Sequence, residues 1–120
     1  MLGRHIAEKC TAAGIDYVST DLDVDITDSL AVSEFVRNSG FRWIVLCSAY
    51  TAVDLAEDEK DKAFAVNAGG VKNIAAACKG SGAKIIHFST DYIFPGNKPG
   101  GYSEDDETGP ECVYGGSKLE

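Results

Sequence analysis

Two short apolar runs, Trp43-Ile44-Val45-Leu46-Cys47 and Ala83 to Phe88, are separated by a long helical stretch. This arrangement constrains the fold more than any other feature of the chain. Each run has the length of a strand and is continuous rather than alternating, which suits a strand covered on both faces, as in a parallel sheet. Between them, the residues from about Glu57 to Lys79 read as helix, with an interruption expected near Gly69-Gly70. The remaining segments keep the alternation. Leu2, Ile6, Cys10 and Ala13 recur at a helical period before a capping Gly14, and Tyr17 to Thr20 reads as a short strand. Asp28 caps a helix carrying Leu30, Val32, Phe35 and Val36, which Gly40 ends. Asp91 to Cys112, rich in Gly, Pro and acidic residues, is expected to be mostly loop, and helix resumes at Val113. The order α-β-α-β-α-β-loop-α predicts an α/β, Rossmann-like, doubly wound parallel sheet with right-handed crossovers. Both ends read as truncated: no strand precedes the first helix, and the last helix has only about eight residues.

A formal net charge of −8 argues against nucleic-acid binding, since no face concentrates cations. The acidic stretches Asp54 to Asp61 and Glu104 to Glu107 read as solvated surface. No apolar run reaches the roughly 18 residues of a membrane span, and Met1 to His5 lacks the layout of a signal peptide, so a cytoplasmic, membrane-free protein is expected. Cys10, Cys47, Cys78 and Cys112 form no Cys-x-x-Cys pair and have no nearby histidine. They read as reduced, small apolar side chains, and no metal site is expected.

The residues that carry chemistry are Ser89-Thr90-Asp91, at the end of a strand, and Tyr114-Gly115-Gly116-Ser117-Lys118. Tyr114 and Lys118 fall on one helical face, four residues apart. A free phenol, with a pKa of about 10, is a poor acid near neutral pH, and a neighbouring cation favours its phenolate. A hydroxyl at the carboxyl end of a strand, such as that of Thr90, can hold a carbonyl beside the phenol, where open α/β sheets bind their ligands. With five tyrosines, a Lys at the fourth following position arises by chance about one time in four. The placement after Ser-Thr-Asp in an alternating fold therefore carries the argument, not the spacing alone.

Five segments occur in order: Val24-Asp25-Ile26-Thr27-Asp28, Ala49-Tyr50-Thr51-Ala52-Val53-Asp54, Val66-Asn67-Ala68-Gly69, Ser89-Thr90-Asp91-Tyr92-Ile93-Phe94 and Tyr114 to Lys118. Together they resemble the extended short-chain dehydrogenases/reductases, in the branch that reduces nucleotide-linked 4-keto-6-deoxysugars. The resemblance implies that residues 1–120 are a partial NAD(P)-binding Rossmann domain holding the start of the Tyr-x-x-x-Lys helix, without a substrate domain. It implies NADPH or NADH as cofactor, a small nucleotide-sugar substrate and, for the whole protein, a homodimer. Tyr114 would donate a proton to the 4-keto oxygen, Thr90 would hydrogen-bond that oxygen, and Lys118 would hold the nicotinamide ribose. Asp91 and Val53 would meet the substrate. Met1, Leu2 and Gly3 would close a glycine-rich phosphate turn. Asp21, 18 residues after Gly3 (21 − 3), would meet the adenosine ribose. Asp25 and Ile26 would flank the adenine, and Ala49, Tyr50 and Thr51 would line the middle of the cofactor.

Plainer readings accompany these. Asp21 and Asp25 suit turns, Thr51 suits a helix cap, Asn67 suits a backbone brace, and His87 suits a packed strand residue. The chain also departs from the branch, with Leu46-Cys47-Ser48-Ala49 where Asn-Ala-Ala-Ala is usual and Leu55 where Lys is usual. Two further functions stay open. One is another sugar-nucleotide epimerase, reductase or dehydratase. The other is a non-catalytic homologue such as the regulatory subunit of methionine adenosyltransferase.

Overall fold

The computed structural model describes residues 2–120; the expected role of Met1 falls outside the described residues. In chain order the elements are α1 (Leu2–Ala12), α2 (Ser29–Ser39), β1 (Trp43–Leu46), a 3₁₀ turn (Leu55–Glu57), α3 (Lys60–Phe64), a π-helical turn (Ala65–Gly70), α4 (Val71–Ser81), β2 (Lys84–His87), a second 3₁₀ turn (Asp91–Ile93) and α5 (Val113–Leu119). β1 and β2 pair in parallel, with Ile44 opposite Ile85 and Leu46 opposite His87, so the helical stretch between them is a crossover. The expected α/β class and parallel pairing are therefore present.

Local sequence sets the limits of α2. The Asp28 carboxylate accepts from the Leu30 and Ala31 amides at 2.9 and 3.1 Å, meeting donors that the first turn leaves unpaired. Gly40, at φ 64°, ends the helix in the left-handed region. α2 presents Val32 and Val36 to Ile74 and Cys78 of α4 and to Leu46 of β1, and this cluster holds most of the buried apolar residues. Burying side chains such as Val32 and Val36 stabilises the fold by about 1.5–3 kcal/mol each. Ile44 and Ile85, opposite one another, pack against the same cluster.

One expectation about the strands is met on one face only, and another fails. Alternate residues of a strand face opposite ways, so Trp43, Val45, Lys84 and Ile86 point away from the α2–α4 layer. Trp43 is 52% and Ile86 42% exposed, so among the described residues the sheet is well covered on one face only. Tyr17 to Thr20 forms no strand; these residues are exposed and outside any ladder. A strand is defined by its hydrogen-bonded neighbour, and β1 and β2 pair with each other alone among the described residues.

The interruption expected near Gly69-Gly70 is instead a widened turn, Ala65–Gly70, through which the backbone stays helical. Wide turns of this kind recur at functional sites. Asn67, 3% exposed, lies inside this one.

Candidate active site

The proposed catalytic residues gather where the chain leaves the carboxyl end of β2, with α5 packed across it. Seven residues cannot hold a helix unaided, and α5 is fixed by contacts with distant parts of the chain. Glu57, from the first 3₁₀ turn, accepts from the Val113 amide at 2.8 Å, and the Cys112 thiol accepts from the Gly115 amide at 3.3 Å. Ser117 is fully buried. Gly115 lies directly on the backbone of the second 3₁₀ turn. A Cβ there would overlap the Tyr92 carbonyl oxygen and stand 3.0 Å from Pro110 Cβ. Only a glycine lets α5 approach so closely.

That approach sets the positions of the two residues four apart. The Tyr114 ring meets Tyr92 edge to face, with centroids 5.7 Å apart. Lys118 donates from Nζ to the Phe88 carbonyl oxygen at 2.6 Å, just beyond β2, and stands 3.4 Å from His87 Nε2. Burial holds the Lys118 ammonium below the usual lysine range. Thr90 caps the second 3₁₀ turn: its hydroxyl accepts from the Tyr92 amide and donates to the Asp91 carboxylate, both at 3.3 Å. Thr90, Asp91, Tyr114 and Lys118 are thus brought to one end of β2.

The segment after β1 is tied to the same helix by Asn67. Its side-chain oxygen accepts from the Tyr50 amide at 2.8 Å, and its nitrogen donates to the Tyr50 carbonyl at 3.0 Å and the Ser117 hydroxyl at 2.9 Å. The Tyr50 hydroxyl donates to Glu59 at 2.9 Å, and Lys62 donates to the same carboxylate at 3.0 Å. Burial first, and then the Glu59 bond, raise the Tyr50 phenol above its usual range, while Lys62 and Tyr50 lower Glu59. Ala49 is half-buried and Thr51 exposed beside Tyr50. The alternative of Thr51 as a helix cap is not realised, since Asp54 occupies that position of the 3₁₀ turn. Val53 is half-buried in the turn just before it.

The remaining expected positions lie on other segments. Gly3, in the first turn of α1, stands where a Cβ would touch Cys47 Cβ at 3.4 Å, so α1 starts beside the carboxyl end of β1, with exposed Leu2 at its first position. Asp21 is exposed in a turn whose Asp21 amide donates to Asp23 at 2.6 Å. The Asp25 carboxylate accepts from the Thr27 amide and hydroxyl, each at 2.8 Å, and these bonds lower its pKa. Asn73 of α4 clamps this loop by donating to the Ile26 and Thr27 carbonyls at 3.0 and 3.2 Å.

Comparison with known proteins gives the family. The family model described as the RmlD substrate binding domain matches residues 1–120. The chain belongs to this family. It is 46% identical to a dTDP-4-dehydrorhamnose reductase of Mycolicibacterium smegmatis over 99% of its own length, spanning 36% of that relative. A crystal structure of a dTDP-4-dehydrorhamnose reductase from Clostridium acetobutylicum superposes with a TM-score of 0.95 at 40% identity, over 98% of this chain and 42% of that one. The reductase from Bacillus anthracis, solved in complex with NADP, gives 0.94 at 39% identity, over 98% and 42%. The chain thus spans about two fifths of these relatives' length and matches this RmlD family throughout its own. The expected Rossmann-like fold class stands on the same likenesses.

The links that sequence reading did not reach are contacts between distant residues. Glu57 and Val113 are 56 positions apart, and Asn67 and Ser117 are 50 apart. His87 carried no local signal distinguishing it from a packed strand residue. Among the described residues, no group of three or more His, Cys, Asp or Glu is arranged to hold a metal ion. No described helix is long and apolar enough to cross a membrane.

Proposed function

We propose that this chain is the cofactor-binding and proton-transfer part of a dTDP-4-dehydrorhamnose reductase. The reaction is reduction of the 4-keto group of dTDP-4-dehydro-L-rhamnose to dTDP-L-rhamnose, with NADPH or NADH. The observation that carries this reading is the gathering of Thr90, Tyr114 and Lys118 at the end of β2. It is supported by the names of the relatives that match the chain along its length. Retention of all three residues favours an enzyme over a regulatory homologue.

The residues present fit a dinucleotide. The start of α1 beside Cys47 sets the unpaired amides of a helix's first turn at the carboxyl end of β1, where a pyrophosphate is well received. Asp21 then serves the adenosine ribose, Asp25 and Ile26 the adenine, and Ala49, Tyr50 and Thr51 the middle of the molecule. When bound, the nicotinamide supplies the hydride.

The chain's own residues handle the oxygen and the proton. The Thr90 hydroxyl, whose bond to Asp91 is long at 3.3 Å, turns to donate to the substrate's 4-keto oxygen. The Tyr114 phenol gives that oxygen its proton as charge develops there. A lysine ammonium has three donors. In Lys118 one is spent on Phe88 and one faces His87, which leaves the third for the cofactor ribose. Asp91 and Val53 meet the sugar nucleotide. This reading also carries a cytoplasmic location and, for the whole protein, a homodimer, which fractionation and light scattering would check.

The test is Tyr114→Phe in the full protein, followed by consumption of NADPH with dTDP-4-dehydrorhamnose. Losing only the transferable proton should lower kcat by about 10²-fold or more while cofactor affinity stays nearly unchanged. A variant with wild-type turnover would remove Tyr114 from the mechanism.

A further inference from the structure

His87 has no part in the chemistry just described, yet its position is constrained. It is the last residue of β2, opposite Leu46, and is half-buried. Its Nε2 stands 3.4 Å from Lys118 Nζ, and its Nδ1 is buried and meets no protein acceptor. An ammonium can only donate, so a hydrogen bond across this gap requires an unprotonated Nε2 and places the ring proton on Nδ1.

We infer that His87 is a positioning residue for Lys118, its neutral imidazole accepting through Nε2 and holding the ammonium where it reaches the Phe88 carbonyl and the cofactor ribose at once. The inference rests on the proposed reductase reading for the ribose, and on geometry alone for the His87–Lys118 bond. Without the imidazole, the four-carbon stem of Lys118 keeps one anchor, the Phe88 carbonyl at 2.6 Å, and a single bond leaves the ammonium free to swing about it. With His87 as a second acceptor, two of the three N–H directions are fixed, and the third is thereby aimed.

The same geometry gives the arrangement a pH sense. Protonation of His87 would turn Nε2 into a donor facing a second cation and abolish the bond. Burial, and then the Lys118 charge, hold the His87 pKa below its ordinary value of 6.5. Lys118, from α5, is the charged group that acts on it, and the partner of His87 in register on β1 is the apolar Leu46. The unfolded chain binds a proton at this residue from about pH 6.5 downward, whereas the folded one resists until lower pH. The positioned form is therefore fully present at neutral pH and is lost as pH falls through the depressed value.

The experiment uses the full protein with two variants. His87→Leu removes the acceptor at similar bulk; His87→Gln restores an acceptor that does not titrate in this range. His87→Leu should raise the dissociation constant for NADPH about tenfold, as loss of one charge-assisted bond implies. His87→Gln should stay within about twofold of wild type. The acid limb of the wild-type kcat/KM profile should vanish in His87→Gln. Nitrogen NMR of the wild-type imidazole should show the proton on Nδ1 at neutral pH. Wild-type cofactor affinity in His87→Leu, an unchanged acid limb in His87→Gln, or a proton on Nε2 would each overturn the inference. Should the wild type neither bind NADPH nor reduce the sugar nucleotide, the reductase reading fails, and the tautomer still decides whether His87 accepts from Lys118.

Discussion

Replacing Gly115 by alanine tests how α5, the helix of the candidate site, is seated. In an open helix the exchange stabilises by up to about 1 kcal/mol through helix propensity. At Gly115 the new methyl would overlap the Tyr92 carbonyl oxygen and stand 3.0 Å from both the Tyr92 carbonyl carbon and Pro110 Cβ, where 3.4 Å begins ordinary contact. Two of the three obstacles are backbone, so no rotamer change relieves them. Overpacking of this kind costs about 1–3 kcal/mol, and a backbone obstacle places it at the upper end, leaving a net loss of about 2 kcal/mol after the propensity gain. If α5 moves instead, Tyr114 and Lys118 move with it. A displacement on the order of 1 Å lowers turnover by about 10²-fold. Gly116→Ala is the control, since its Cβ would stand 3.6 Å from Phe64 Cζ, an ordinary contact one residue along the same helix. Urea unfolding and steady-state reduction, measured on both variants of the full protein, separate the two routes. If Gly115→Ala matches Gly116→Ala in both midpoint and turnover, the close seating of α5 on Tyr92 is not what orders the site.

Two other substitutions probe the remaining supports. Asn67→Leu removes three hydrogen bonds around a buried amide and, at about 1 kcal/mol each, should cost roughly 3 kcal/mol and weaken NADPH binding through Tyr50. Urea unfolding with calorimetric titration checks it, and a loss under about 1 kcal/mol would mean that the bonds contribute little. Asp21→Ala should shift the preference toward NADPH, because a carboxylate by the ribose opposes the extra phosphate; an unmoved ratio of NADPH to NADH affinities would make Asp21 an ordinary turn residue.

What sequence reading reached was whatever local chemistry dictates. Asp28 and Gly40 mark the ends of α2 because a carboxylate cap and a left-handed glycine act within a few residues. The apolar runs around Ile44 and Ile85 gave the parallel pair because continuous hydrophobicity has few other outlets. Tyr17 to Thr20 shows the limit: its composition favours a strand, but pairing is a property of two segments, and propensity describes only one. Trp43 shows another, since an apolar run reports that burial is available to it, not which face is covered. At the candidate site, the grouping of Tyr114, Lys118 and Thr90 at one end of β2 was legible from spacing and order. The direction of the Lys118 ammonium was not, because Phe88 and His87 lie 30 and 31 residues away along the chain.

The structure also separates what holds the fold from what holds the site. Val32, Val36, Leu46, Ile74 and Cys78 form the main apolar cluster from α2, β1 and α4, and no described α5 side chain belongs to it. α5 is held outside that cluster, by polar contacts from Glu57 at its first amide, Asn67 at Ser117 and Phe88 at Lys118, and by Tyr92, whose carbonyl lies against Gly115 and whose ring meets Tyr114. Apolar contacts tolerate small sliding, because dispersion is weakly directional. Hydrogen bonds weaken steeply with misalignment, so they fix orientation better than they add stability. The roles proposed for Tyr114 and Lys118 demand orientation, and directional contacts hold both residues on α5. It follows that thinning the α2–α4 core should lower the unfolding midpoint while the surviving folded molecules keep their geometry at Tyr114. Loss of Asn67 or Gly115 should disturb that geometry before the fold fails.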